Sequence, residues 1–177
     1  MSAPNDNPFW AYSLALYGRE GVEPACLDLQ DRLGLDVNLL LFCCWAGSRG
    51  RCLSPAGLQG LVAATRAWRE EAVEPLRRVR RRLKTRLAEL GPAASALRAQ
   101  VKAAELAAEA IQQDILHRRL PLAEGAPSAA AVAANLRAAL EASGCTNGSD
   151  AHEALAALLR AACPELGPDE ARGLLAD

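Results

Sequence analysis

Val37-Asn38-Leu39-Leu40-Leu41-Phe42-Cys43-Cys44-Trp45-Ala46 is the stretch on which the fold turns. Asn38 is its one polar side chain, so a helix here is apolar nearly all round and belongs in the middle of a bundle. Asp36 stands where an N-cap carboxylate accepts the first free amides, and Gly47 stands where such a helix ends. The segment reads as the central helix of an all-α helical bundle.

Working outward, Asn7-Pro8 is an N-cap followed by proline at the first helical position; it opens a helix over 9–17 that Gly18 closes. A second short helix over 24–33 ends at Gly34. Beyond the central helix, 47–53 is a loop carrying Arg49 and Arg51, and Ser54-Pro55 repeats the cap-plus-proline signature. From there Leu58, Leu61, Thr65, Trp68, Ala72, Leu76, Val79, Leu83, Leu87 and Leu90 recur at steps of three and four, a single helical stripe. Pro75 lacks an N–H and its ring crowds the preceding turn, which predicts a kink around 71–74. After Gly91-Pro92 a second stripe follows: Leu97, Val101, Ala104, Ala108, Ile111 and Ile115. Two such stripes around a Gly-Pro turn describe a long, Pro-kinked antiparallel helical hairpin.

The expected organisation is a helical bundle over 1–120 containing the hairpin arms 55–90 and 93–119, then a linker at 121–127. Short Ala-rich helices at 128–177 are expected to dock on the bundle, with a loop at 144–149. Composition agrees, because Ala and Leu dominate an apolar half of the chain while aromatics and β-branched residues are scarce. The N-terminus lacks the basic and apolar regions of an export signal, and the longest apolar run, 39–46, is far short of the ~20 residues that cross a bilayer. The six cysteines therefore read as reduced thiols, those at 43 and 44 as small buried hydrophobes, and the expected location is the cytoplasm. No C-x-x-C or paired His spacing suggests a metal, no nucleophile or glycine-rich phosphate turn suggests catalysis, and no cofactor is expected.

The feature with chemical character is Arg77-Arg78-Val79-Arg80-Arg81-Arg82-Leu83-Lys84-Thr85-Arg86, seven basic residues in ten within a chain of formal net charge −1. Like charges so dense on one helix repel unless partners exist. A hairpin turning at Gly91-Pro92 sets residues whose numbers sum to roughly 183 opposite each other, so Arg78 should meet Glu105, Arg69 should meet Asp114, and Glu109 should lie near Arg77. Surface pairs of that kind are worth ~0–1 kcal/mol and set register more than stability. The acids are too few for all the bases, leaving Arg80, Arg81, Arg82, Lys84 and Arg86 mostly without carboxylates, and with Arg77 these form the candidate partner surface. Such a surface suits an acidic protein; nucleic acid is the weaker match, since no aromatic residues interleave the basic run. The plainer alternative is a solvated, internally paired face.

The segments Phe9-Trp10-Ala11-Tyr12-Ser13-Leu14-Ala15-Leu16-Tyr17, Cys26-Leu27-Asp28-Leu29-Gln30-Asp31 and Gly34-Leu35-Asp36-Val37-Asn38-Leu39-Leu40-Leu41-Phe42 carry a resemblance. With Trp45, Trp68, Val73-Glu74-Pro75-Leu76-Arg77 and Val101-Lys102-Ala103-Ala104-Glu105-Leu106, they make roughly 9–120 similar to a conserved proteobacterial family of unknown function. The resemblance implies a small bacterial cytoplasmic helical protein and transfers no activity. It directs attention to Trp10, Tyr17, Gln30, Asp31, Asp36, Asn38 and Trp45 as a shared polar–aromatic core or pocket. A small-ligand or enzymatic pocket among the first three helices, worked by Asp31, Asp36 and Asn38, is thus the alternative to a docking surface.

Overall fold

The computed structural model describes residues 7–123, 125–144 and 148–176; these are helical with no strand among them. The helices are α1 (Pro8–Tyr17), α2 (Val22–Leu33), α3 (Val37–Ser48), α4 (Pro55–Trp68), α5 (Glu74–Thr85), α6 (Leu87–Arg119), α7 (Ala129–Ala142), α8 (Gly148–Ala162) and α9 (Pro168–Ala176). The expected bundle, kinked hairpin and C-terminal helices are all present. Residues 1–6 lie outside the described residues, as do 145–147, Cys145 among them, in the predicted 144–149 loop; α8 already begins at Gly148.

Capping fixes several starts as the sequence predicts. The Asn7 side chain accepts from Trp10 N at 2.8 Å, Asp36 from Asn38 N at 3.0 Å and Ser54 from Gly57 N at 3.1 Å. Gly34, at φ 66°, closes α2 with its own N–H on Gln30 O and the Leu35 N–H on Leu29 O, a paired C-terminal cap. Two boundaries differ. α2 begins at Val22, not Pro24, because proline is tolerated anywhere in a first turn where its missing N–H is not needed. Gly47 does not end α3; it sits inside the last turn, and the helix stops at Ser48.

Gly47 is where α7 crosses α3. A Cβ there would lie 2.4 Å from Val132 Cγ2 and 2.5 Å from Val132 N, and Gly47 O accepts from Ser128 N at 3.1 Å. Asn135, buried on α7, accepts from Leu53 N at 2.7 Å and donates to Arg51 O at 2.8 Å and Cys43 O at 3.1 Å. The core accordingly joins Leu40, Phe42 and Trp45 of α3 to Leu136 of α7, Leu155 and Leu158 of α8 and Leu175 of α9.

The disturbance caused by Pro75 is a π turn, Arg69–Val73, in which the Glu74 N–H reaches Arg69 O five residues back. The wider turn absorbs the lost hydrogen bond while φ and ψ stay helical. Trp68 Nε1 ties this segment to α6 through Ala108 O at 2.9 Å. At the far end α5 stops at Thr85, and Gly91 (φ 73°, ψ −162°) breaks α6 just before Pro92, so the chain reverses over 86–92.

The stripes hold where Leu58, Leu61 and Thr65 of α4 and Ala108 of α6 are buried, and fail over α5 and the outer part of α6. No residue of α5 is buried, Val79, Leu90 and Leu97 are exposed, and the buried side chains of α6 include Glu105, Gln112 and Gln113. The outer half of the hairpin stands clear of the bundle, so its apolar residues have nothing to pack against except each other. Its inner half presents polar groups to α1 and α3.

Candidate functional site

On α5, Arg77, Arg80 and Lys84 advance by three and four and share a face; on α6 so do Arg98, Lys102, Glu105 and Glu109. These faces meet. Arg77 donates to Glu105 at 3.1 Å and to Glu109 at 2.7 Å, while Arg80 clamps Glu105 through its Nε and, at 3.0 Å, through Nη2. The predicted level along the hairpin is right within a turn, but Arg77 and Arg80 hold Glu105 between them, and Arg78, a third of a turn away, is exposed and does not line the cleft. Arg69 pairs with Glu74 at 3.3 Å and Asp114 with Arg118 at 2.6 Å, not with each other.

The hairpin face forms one wall of a cleft of about 420 Å³ whose other walls are α1, α2 and the start of α3. Trp10, Ser13, Leu14 and Tyr17 come from α1, Glu23, Leu27 and Gln30 from α2, and Asn38 and Leu41 from α3. Arg77, Arg80, Lys84, Arg98 and Lys102 line the hairpin side, with Leu106 among them. Parts of two groups that sequence reasoning kept apart therefore face one cavity: Arg77, Arg80 and Lys84 of the basic helix, and Trp10, Tyr17, Gln30 and Asn38 of the polar–aromatic set. Leu14, Leu27 and Leu106 are 51%, 38% and 47% exposed and are half of the exposed large apolar side chains among the described residues. Burial pushes the Tyr17 phenol up to about 12, so it stays protonated there at neutral pH.

Behind the cleft runs a chain of buried polar groups whose donors all point one way. Ser13 Oγ donates to Gln113 at 2.6 Å, Gln113 to Asn38 at 2.8 Å, Asn38 to Gln112 at 2.9 Å, and Gln112 to the Asp36 carboxylate at 2.6 Å. It stitches α1, α6 and α3 together and satisfies every amide in it, as buried polar groups require. Ser13, Gln112 and Gln113 were not singled out from sequence. The signal for the glutamines was there: with Glu105 and Glu109 they continue the three-and-four spacing of Arg98 and Lys102.

Burial raises the Asp36 carboxyl above its ordinary value, against the opposing pull of Arg69 and the hydrogen bonds from Gln112, Leu39 and Asn38. The native state therefore holds the Asp36 proton to a higher pH than the unfolded chain does. Its contribution to stability is greatest below the unfolded value of 3.8 and is lost as pH rises through the folded one. Asparagine keeps the cap and lets each amide turn over, with Ser13 accepting from Gln113 and donating to Trp10 O, 3.0 Å away. Asp36→Asn should accordingly gain a few degrees in Tm over wild type at pH 7.5, and the gain should shrink towards pH 4. Thermal unfolding at the two pH values checks this.

The other anticipated residues lie elsewhere. Asp31 is outside the cleft, hydrogen-bonded to Gln30 at 3.2 Å and paired with Arg81. Asp36 lines two smaller hollows on the far side of the polar chain. Trp45 packs with Phe9, Phe42 and His117 at centroid distances of 5.3, 5.4 and 5.4 Å, with Arg49 over its ring at 4.8 Å. Arg86 pairs with Glu89 at 2.7 Å; Arg78 and Arg82 are exposed off the cleft with no ion pair among the described residues, Arg78 lining one of the hollows beside Asp36. Among the described residues no cluster of His, Cys, Asp or Glu could hold a metal ion, and no helix is long and apolar enough to cross a membrane.

Residues 8–116, which carry α1 to α5 and most of α6, match the family model described as "Protein of unknown function (DUF2390)". The chain belongs to that family. The match covers every wall of the cleft and ends before α7. No curated protein and no solved structure matches the chain.

Proposed function

We propose that this member of the family is a non-catalytic interaction protein of the bacterial cytoplasm, and that it docks an acidic partner protein in the cleft between the hairpin and α1–α2. One observation carries the reading: exposed leucines from three helices line the same cavity as Lys84, Arg98 and Lys102, cations with no ion pair among the described residues. That combination suits an amphipathic acidic segment, with apolar side chains against the floor and carboxylates against the hairpin. The free thiols of Cys26, Cys43, Cys44, Cys52 and Cys163 suit a reducing compartment, and the motif likeness suits a bacterial source. The carboxylates that an enzymatic pocket would need are engaged: Asp36 caps α3 and accepts from Gln112, and Asp31 holds Arg81.

The test is a fluorescein-labelled helical peptide with leucines on one face and glutamates on the other, followed by anisotropy. Wild type should bind it with affinity that falls steeply from low to physiological salt, and should ignore the version with lysine for glutamate. Leu14→Ser with Leu106→Ser, and separately Lys84→Glu with Lys102→Glu, should each lose binding. Reversing the outer face with Arg78→Glu and Arg82→Glu should leave it intact. Binding that is lost only on outer-face reversal, or that survives both cleft variants, overturns the reading.

A further inference from the structure

The charge pattern along the hairpin's inner face changes partway. Towards the bundle, Arg77 and Arg80 are matched by Glu105 and Glu109. One turn further out, Lys84 follows Arg80, and the antiparallel register set by the Arg80–Glu105 pair brings it level with the stretch of α6 between Arg98 and Lys102. All three cations line the cleft, and none makes an ion pair among the described residues. Arg98 is half-buried, with its Nε shielded from solvent and without a hydrogen-bond partner. Of the lining carboxylates outside the hairpin only Glu23 remains, on α2, close enough to Tyr17 to influence its phenol.

Three cations along one stretch of the hairpin, whose neighbouring carboxylate Glu105 is already held by Arg77 and Arg80, destabilise the hairpin they sit on, and a shielded guanidinium N–H lacking an acceptor adds to that. An oxyanion placed among them removes both penalties. We infer that Lys84, Arg98 and Lys102 form an anion subsite at the outer end of the cleft, which takes clustered carboxylates of the docked acidic segment. The inference rests on the docking reading and adds where the partner's charge sits: its acids gather at the hairpin end, and its apolar residues lie towards Leu14 and Leu27. The guanidinium of Arg98 supplies a directed donor, whereas the two lysines supply mobile charge.

The probes are citrate, acetate and inorganic pyrophosphate, titrated into the full chain at ionic strength held constant with sodium chloride. The Arg98 Nε–H NMR resonance should shift saturably with citrate and stay put with acetate. In Lys84→Gln with Lys102→Gln the citrate affinity should fall at least tenfold, while the citrate-free protein should melt at a higher temperature than wild type at low salt. An Arg98 signal that does not move, or a double variant that binds citrate as wild type does, overturns the subsite. Pyrophosphate binding tenfold tighter than citrate overturns its assignment to carboxylates. If the subsite fails but the leucine variants still lose the acidic peptide, the docking reading stands alone. If citrate binds and the peptide does not, the subsite stands and the docking reading falls.

Discussion

Gly47→Ala should lose about 3 kcal/mol or more of stability, a fall in Tm on the order of 10 °C for a chain of this size. Alanine is the better helix former, so local propensity predicts the opposite sign by about 1 kcal/mol. Packing decides it. The new methyl would lie 2.4–2.6 Å from Val132 Cγ2, N and Cα, and two of those atoms are backbone, so no rotamer change relieves the clash. α7 must move away from α3, and with it go the Ser128–Gly47 hydrogen bond and the burial of Leu136. Gly60→Ala is the control: nothing lies within 4 Å of its Cβ position on α4, so the propensity term acts alone and the variant should be slightly more stable. Thermal unfolding of the pair separates the two effects, and faster proteolysis near 121–128 in Gly47→Ala would locate the damage. A Gly47→Ala protein as stable as Gly60→Ala would show that the helices do not cross this closely.

Asn135→Ala should cost about 2–4 kcal/mol. The side chain is buried and uses both its donors and its acceptor on backbone: the Leu53 N–H, Arg51 O and Cys43 O. Alanine leaves those groups shielded from water with fewer partners, and the 51–53 loop loses the clamp that fixes its approach to α4. Asn135→Asp should be no better, because a carboxylate would face two carbonyl oxygens in place of donating to them. Urea unfolding gives the loss directly, and amide exchange at Leu53 should accelerate before the rest of the core.

The legible part of this fold was written in local chemistry. Asn7, Asp36 and Ser54 announce helix starts because a side-chain oxygen and a free amide need only three residues of context. The central placement of α3 follows from an absence of polar faces, which no neighbour can alter. Gly47 was misread for the same reason: a glycine at a helix end and a glycine under a crossing helix look alike until Val132, 85 positions later, is in place. The hairpin stripes failed differently. Leu97, Val101 and Ala104 keep a helical period, yet the outer hairpin has no neighbour to bury them, and the face turned inward belongs to Glu105, Gln112 and Gln113. Periodicity reports which residues share a face and not what that face meets.

For the cleft, the basic run and the polar–aromatic residues were each visible, but their meeting was not. Arg77 and Arg80 reach Glu105 where Arg78 was expected, because the level of a residue on a hairpin follows from counting whereas its rotation does not. Lys84 and Lys102 are 18 positions apart across a turn whose geometry depends on Arg86 and Gly91.

The π turn at Arg69–Val73 makes that rotation tolerant of one lost codon. It holds one residue more than an α-helical path of the same length, so deleting Ala72 would remove the bulge, set the Pro75 ring against a regular turn, and leave the faces of α5 pointing as they do now. Arg77, Arg80 and Lys84 would stay on the cleft, whereas losing one residue from a regular turn of α4 would rotate them off it by about 100°. A one-residue gap here in an alignment would therefore leave the charged wall of the cleft in place, while the same gap a turn earlier or later would not.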